Sequence, residues 1–296
     1  NKEVSLLKAG DKDSEGNAIM HSFWAPEIHE IDGRLTILFM AGYGNTWSNG
    51  KSVYMQLKQD ADGHDLDPTD PDNWTVPTPI YRNDASLLNG NKQLAATASG
   101  GVGMSLDMTY FQDADGRSYY AWQQLGATYI ATMDPKDPAH VTSSPVRIVT
   151  PEYAWNAAIA EGPNVTLRDG KLYLMFSGSG VGKTYTTGLA VADASGTDLT
   201  DPASWTVLNY PIQKSGPFNG EMQLGTGHGM WSEDEDGNQI YVFHAYATKN
   251  LGSVNAAGRD MFVRRVHWAA DGMPVFDMSS SEELASKTVS VTVKVV

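Results

Sequence analysis

Asp70-Pro71-Asp72-Asn73-Trp74-Thr75-Val76 returns as Asp201-Pro202-Ala203-Ser204-Trp205-Thr206-Val207, with a weaker copy, Asp137-Pro138-Ala139-His140-Val141, between them. The copies define a unit of about 65 residues, which suits strand-built propeller blades rather than a helical solenoid. Working outward, a second marker keeps step with the first. Asp-Gly pairs stand at Asp32-Gly33, Asp115-Gly116, Asp169-Gly170 and Asp236-Gly237. Each precedes a strand-like run: Leu35 to Ala41, Ser118 to Trp122, Leu172 to Phe176 and Ile240 to His244. Asp-Gly between two strands signals a hairpin, because both central turn positions favour positive φ. No convincing amphipathic helix interrupts the series, so the chain reads as all-β. Four hairpins and four unit ends (Trp74, His140, Trp205 and Trp268) predict four blades.

Composition limits what such a fold can do. The 296 residues carry 21 Lys and Arg against 35 Asp and Glu, a net charge of -14 that repels phosphate backbones and anionic lipid. Nucleic acid and membrane insertion are therefore excluded as expectations, and neutral ligands remain. With no cysteine, disulfides, thiolate metal sites and a Cys nucleophile are excluded. The stretch around Leu35 to Ala41 is far too short to cross a bilayer. The chain opens at Asn1 without a Met, which points to a trimmed N-terminus.

One ionisable residue precedes each Asp-Gly pair. Glu27 lies five residues before Asp32, and Asp107, Glu161 and His228 each lie eight residues before theirs. The first strand of a propeller blade lines the central axis, so these four residues are expected at equivalent positions converging on one end of it. Their flanks are apolar or glycine-rich (Phe23-Trp24-Ala25-Pro26, Met104-Ser105-Leu106, Gly225-Thr226-Gly227), unlike solvated surface acids. Two carboxyl groups facing one cleft can hydrolyse a glycosidic bond, one donating a proton to the leaving oxygen. A third acid raises the donor's pKa by like-charge repulsion. The 8 Trp, 13 Tyr and 8 Phe suit the apolar faces of sugars.

Trp24-Ala25-Pro26-Glu27-Ile28-His29, Ser105-Leu106-Asp107, Glu161-Gly162-Pro163 and Gly225-Thr226-Gly227-His228 together resemble, in that order, the motifs of glycoside hydrolase family 43. The similarity runs over about residues 6 to 276 and is closest to the α-L-arabinofuranosidase branch. The resemblance implies a five-bladed β-propeller, about four blades of it in this chain, over 1–276, with 277–296 a linker and strand. It implies an inverting exo-glycosidase removing terminal α-L-arabinofuranosyl units from arabinan or arabinoxylan. A β-D-xylosidase, or a carbohydrate-binding propeller without turnover, remains the alternative.

By the same resemblance Glu161 is the general acid, and Asp107 tunes its pKa and orientation. Trp24 and Glu27 line the sugar pocket, Arg259 contacts substrate, and His228 helps hold substrate or a central calcium ion. No cofactor is required beyond that structural Ca2+. The partner would be a plant cell-wall oligo- or polysaccharide, met outside the cell or at a bacterial cell surface. The family's general base is an Asp, usually followed by Pro, well upstream of the Trp-Ala-Pro motif. Only 23 residues precede Trp24, and Asp11 and Asp13 sit in a polar run that reads as a loop between blades. The base and most of the first blade are therefore expected upstream of Asn1.

Other signals are set aside. Ser177 to Thr184 nearly spells a phosphate-binding loop, but a strand-like run follows where a helix is needed. Asp60 to Asp67 lacks the acid spacing of an EF-hand and reads as a solvated turn. His29-Glu30 lacks the second His of a zincin motif. Asn73 and Asn164 stand in formal glycosylation sequons, the second inside the Glu-Gly-Pro motif. Thr288 to Val295 alternates as a strand does, either opening a further β-domain or closing the ring.

Overall fold

A computed structural model describes residues 3–88, 104–247, 249, 258–279 and 282. Four antiparallel sheets follow one another along the chain. The first is β1 (Ile19–Ile31), β2 (Arg34–Tyr43), β3 (Lys51–Gln56) and β4 (Thr78–Pro79). The second adds a short β5 (Tyr81–Arg82) to β6 (Leu106–Gln112), β7 (Ser118–Gln124), β8 (Ala127–Asp134) and β9 (Asp137–Val141), with β10 (Val146–Val149) returning to β8. β5 lies beside β9 in the one parallel pairing among the described strands. The third is β11 (Ala160–Arg168), β12 (Lys171–Gly178), β13 (Thr186–Asp193) and β14 (Thr206–Val207). In the fourth, β15 (Gly216–Phe218) precedes β16 (Glu221–Glu233), β17 (Gln239–Tyr246) and β18 (Asp260–Arg265). A two-stranded ribbon, β19 (His267–Trp268) and β20 (Pro274–Val275), comes last. Helical structure among the described residues is confined to three-residue 3-10 turns. The all-β propeller and the four-blade count agree with the sequence; the strand expected at Thr288 to Val295 lies outside the described residues.

The blades pack face to face, which explains why their central strands read as unbroken apolar runs. On β12, Leu172, Leu174 and Phe176 join Phe111, Tyr119 and Ile130 of the second blade, whereas Met175 joins Tyr241 and Phe243 of the fourth. On β7, Tyr119 and Ala121 face the third blade, while Tyr120 and Trp122 meet Leu38 of the first. Side chains alternate with a period of two, and both faces are dry, so neither set can be polar. The first strands pack side by side, β1 on β6, β6 on β11 and β11 on β16, around the axis.

The repeated heptapeptides are 3-10 turns held by their own residues. Asp70 caps Pro71–Asn73 by accepting from Asp72 N, and Asp201 caps Pro202–Ser204 by accepting from Ala203 N. Trp74 Nε1 donates to Pro68 O and Trp205 Nε1 to Leu199 O, both at 3.0 Å. The intervening copy is different. Asp137 to Val141 forms β9, because His140 has no indole to anchor a turn and instead pairs with the Asp137 carboxylate at 2.8 Å.

The Asp-Gly pairs fall into two kinds of turn. Asp32-Gly33 and Asp169-Gly170 are two-residue connections with φ of 51°, 67°, 48° and 75° in turn. Asp115-Gly116 and Asp236-Gly237 lie in five-residue loops opened by Asp113 and Asp234, whose Oδ1 accepts from the N–H groups two and four residues on. The same loop recurs at Asp13 and at Asp60. Both had read differently in the sequence, one as a connection between blades and the other as a calcium-like run. Each is a hairpin tip, closed by the bridges Lys12↔Ala18 and Gln59↔Asp65.

Candidate active site

Each first strand bulges against its neighbour, with one extra residue in β6 and in β11, two in β16 and three in β1, and one bulge recurs at an equivalent place in all four. Trp24 and Glu27 oppose Met40 and Leu38; Leu106 and Thr109 oppose Gln123 and Ala121; Glu161 and Asn164 oppose Ser177 and Met175; Gly227 and Met230 oppose His244 and Val242. At the bulge stand Ala25, Asp107, Gly162 and His228, with φ of 48°, 57°, 59° and 49°. A left-handed residue other than glycine costs on the order of 1 kcal/mol or more, and bulges of this kind re-aim side chains beside functional sites.

This geometry corrects the expected register. Asp107 and His228 are equivalent, but Glu161 stands one residue before the bulge and Glu27 two after it, level with Asn164. The even spacing to Asp-Gly arose because Asp169 opens a two-residue turn, whereas Asp115 and Asp236 sit third in a loop of five.

The four residues nevertheless meet. Glu161 is buried and accepts a 2.6 Å hydrogen bond from the Tyr185 hydroxyl. Burial pushes its carboxyl up to about 7, the Asp107 charge adds to the rise, and Tyr185, His228 and Arg259 oppose it. Asp107 is also pushed up to about 7, by burial above all. Its Oδ2 accepts from the Gly162 N–H at 2.9 Å, and its Oδ1 lies 3.9 Å from His228 Nε2 without a hydrogen-bond partner. Because neighbouring buried carboxyls titrate together, the two raised values belong to the pair. The His228 imidazole is held below its ordinary range by burial, while its backbone N–H donates to Ser177 Oγ at 2.6 Å.

Glu27 faces the same axis with a different set of partners. Its Oε2 lies 2.8 Å from His29 Nε2 and 3.3 Å from Asn164 Nδ2, and Asn164 Oδ1 in turn accepts from Trp231 N. Arg259 Nη1 approaches His244 Nε2 at 2.5 Å. Since a guanidinium only donates, Nε2 must accept and the His244 proton sits on Nδ1. Burial, then Arg259 and His228, lower the His244 pKa to about 3. Trp24 is 46% exposed, with the exposed Phe23 beside it on β1.

The structure thus brings together five of the six residues singled out in the sequence, Glu27, Asp107, Glu161, His228 and Arg259, and adds Tyr185, Asn164, His244 and Ser177; Trp24 stands exposed on β1, three residues before Glu27. Sequence reasoning missed these four: Asn164 was visible only as a sequon and Ser177 only as part of a phosphate-loop look-alike. The expected axial calcium fits poorly. Asp107 and His228 supply one carboxylate oxygen and one imidazole nitrogen, where calcium takes about 6–8 oxygens. Among the described residues, the only set of three or more acidic or His groups close enough to share an ion is the exposed Asp60, Asp62 and His64 turn.

A solved structure shares the architecture, and curated relatives share the sequence. The crystal structure of an α-L-arabinofuranosidase from Lactobacillus brevis superposes with a TM-score of 0.69 at 26% identity, over 88% of this chain and 80% of that one. An extracellular exo-α-(1→5)-L-arabinofuranosidase of Streptomyces avermitilis is 29% identical over 266 residues, and α-L-arabinofuranosidase 43 of Humicola insolens 29% over 267. Each match covers 86% of this chain and 49% of the relative, so the chain spans about half the length of these proteins. The fold class is that of the five-bladed propellers, with four blades among the described residues. The model of glycosyl hydrolases family 43 matches residues 2–274, and the chain belongs to that family of glycoside hydrolases.

Proposed function

We propose that the protein is an inverting exo-glycosidase releasing terminal α-L-arabinofuranosyl residues from arabinan or arabinoxylan. One observation carries the reading: Glu161 is buried beside Asp107 and holds its proton to about pH 7. A carboxyl that stays protonated near neutrality can protonate the departing glycosidic oxygen. Burial is the first cause of that hold on the proton, and Asp107, anchored by Gly162 N–H, strengthens it as the coupled pair ionises. Trp24 and Phe23 offer apolar faces to the sugar, and Arg259, half-buried next to His244, a charged donor to its hydroxyls. Glu27 is read as a pocket residue rather than the general base, since its Oε2 is engaged by His29 and Asn164. The relatives named as extracellular arabinofuranosidases support a secreted protein and a plant polysaccharide substrate.

The test compares 4-nitrophenyl α-L-arabinofuranoside with the β-D-xyloside, and arabino-oligosaccharides with both. The arabinofuranoside is expected to turn over faster. Glu161→Gln should slow arabino-oligosaccharide hydrolysis by about 10²–10⁴-fold, and the activated aryl glycoside by less. Undiminished oligosaccharide hydrolysis by that variant overturns the acid assignment. Binding of arabino-oligosaccharides without turnover would favour the second reading, a carbohydrate-binding propeller, which the commitment of Glu27 supports.

A further inference from the structure

The glycine-rich segment between β12 and β13 resembles a phosphate loop and holds no phosphate-binding helix, so its composition calls for another reason. It ends at Tyr185, which is fully buried. The segment lies directly on the Gly225-Thr226-Gly227 backbone of β16. A Cβ at Gly225 would collide with the Gly182 carbonyl, and one at Gly227 with the Tyr185 ring. Ser215 ties the two together, donating to Lys183 O at 2.9 Å and accepting from Gly225 N at 2.8 Å. The glycines on both sides allow two backbones and one aromatic ring to approach closely.

The ring so placed has two neighbours. Its hydroxyl donates to Glu161 Oε1, and its face stacks on His244, with centroids 5.6 Å apart and planes 9° apart. His244 also stacks on His228 at 6.2 Å and accepts from Arg259. We propose that Tyr185 and His244 are positioning residues for the proton donor. The Tyr185 hydroxyl fixes the Glu161 carboxyl in one orientation and stabilises its charged form, and His244 links that hydroxyl to the position of Arg259. The proposal rests on Glu161 as the general acid only for its catalytic consequence; the hydrogen-bond linkage itself does not depend on that reading.

The charged and titratable groups around Glu161 are Asp107 from β6, His228 from β16, Arg259 ahead of β18 and Tyr185, with Glu27 of β1 acting on Asp107 and His228. Of these, Tyr185 is the donor whose loss leaves the others' charges unaltered. Tyr185→Phe keeps the ring and removes only the O–H, so the Glu161 carboxylate loses a stabilising donor and its proton is held to higher pH.

The experiment titrates the full chain labelled with [δ-13C]glutamate, the Glu161 carboxyl being assigned by its loss in Glu161→Gln. Tyr185→Phe should raise the Glu161 midpoint by about one pH unit. In any protein that turns over, the alkaline limb of kcat/KM should move up with it. His244→Asn removes the stack and should move the midpoint in the same direction by less. Gly227→Ala, which displaces the ring, should reproduce the Tyr185→Phe shift if it folds. An unchanged midpoint in Tyr185→Phe overturns the proposal. Retained oligosaccharide hydrolysis in Glu161→Gln, with the midpoint still moving, overturns instead the assignment of Glu161 as the acid.

Discussion

The Asp107 carboxylate accepts a 2.9 Å hydrogen bond from the N–H of Gly162, the residue that follows Glu161. The charge that acts on the proton donor is thereby fastened to the backbone that carries it. Two first-strand bulges meet there, one at Asp107 with φ of 57° and one at Gly162 with φ of 59°.

Asp107→Asn should separate charge from anchoring. The amide oxygen can still accept from Gly162, but the like charge beside Glu161 is gone. The Glu161 midpoint should fall, moving the alkaline limb of the pH profile down by about one unit. A pH–rate profile or the glutamate titration reads this directly; an unmoved midpoint means that burial alone holds the Glu161 proton.

Gly162→Ala tests the bulge. The added Cβ would sit 3.3 Å from His228 Nδ1 on a residue at φ +59°. A destabilisation of about 1–3 kcal/mol is expected from urea midpoints. Loss of turnover should exceed what that stability change explains, since the Asp107 anchor moves.

The pH dependence of stability has opposing contributions, so variants must be compared with the parent. Glu161 and Asp107 titrate near 7 in the fold and near 4 when unfolded, so the fold binds more protons in that window. Their contribution is fully present below about pH 4 and lost as pH rises to about 7. His244 and His228, lowered in the fold, act the other way below their ordinary range. Glu161→Gln removes one term. Its Tm relative to the parent should rise from pH 5 to about 7 and then level off; a constant difference would mean that Glu161 is not perturbed.

Asp70→Ala and Asp201→Ala each remove a cap from a turn far along the chain from the catalytic carboxyls. Each should cost about 1 kcal/mol in denaturant midpoint while leaving the Glu161 titration unchanged. A cost near zero would show that the indole bonds from Trp74 and Trp205 suffice to hold these turns.

How far the sequence could be read follows the range of the interactions involved. The Asp-Pro-x-x-Trp turns were legible because their bonds close within six residues, from Trp74 to Pro68 and from Trp205 to Leu199. The turns at Asp32-Gly33 and Asp169-Gly170 were legible because two adjacent positive φ values demand that chemistry, whereas at Asp115-Gly116 and Asp236-Gly237 only the glycine has positive φ. Counting such units yielded the four blades. Asp107, Glu161 and His228 stood out because ionisable residues are rare among apolar and glycine flanks. Their mutual register did not, since Asp-Gly looks the same in a turn of two residues and a loop of five.

By itself, then, the sequence determined the blades, their turns and which carboxyls were candidates, all properties of short windows. Only the tertiary structure decided which groups touch. Tyr185 reaches Glu161 across 24 residues and Asn164 reaches Glu27 across 137. Those contacts depend on how each blade packs against the next and on the bulge that recurs in each first strand. A one-residue change of register rotates a side chain from the axis to the opposite face of its strand, and no local pattern records that choice.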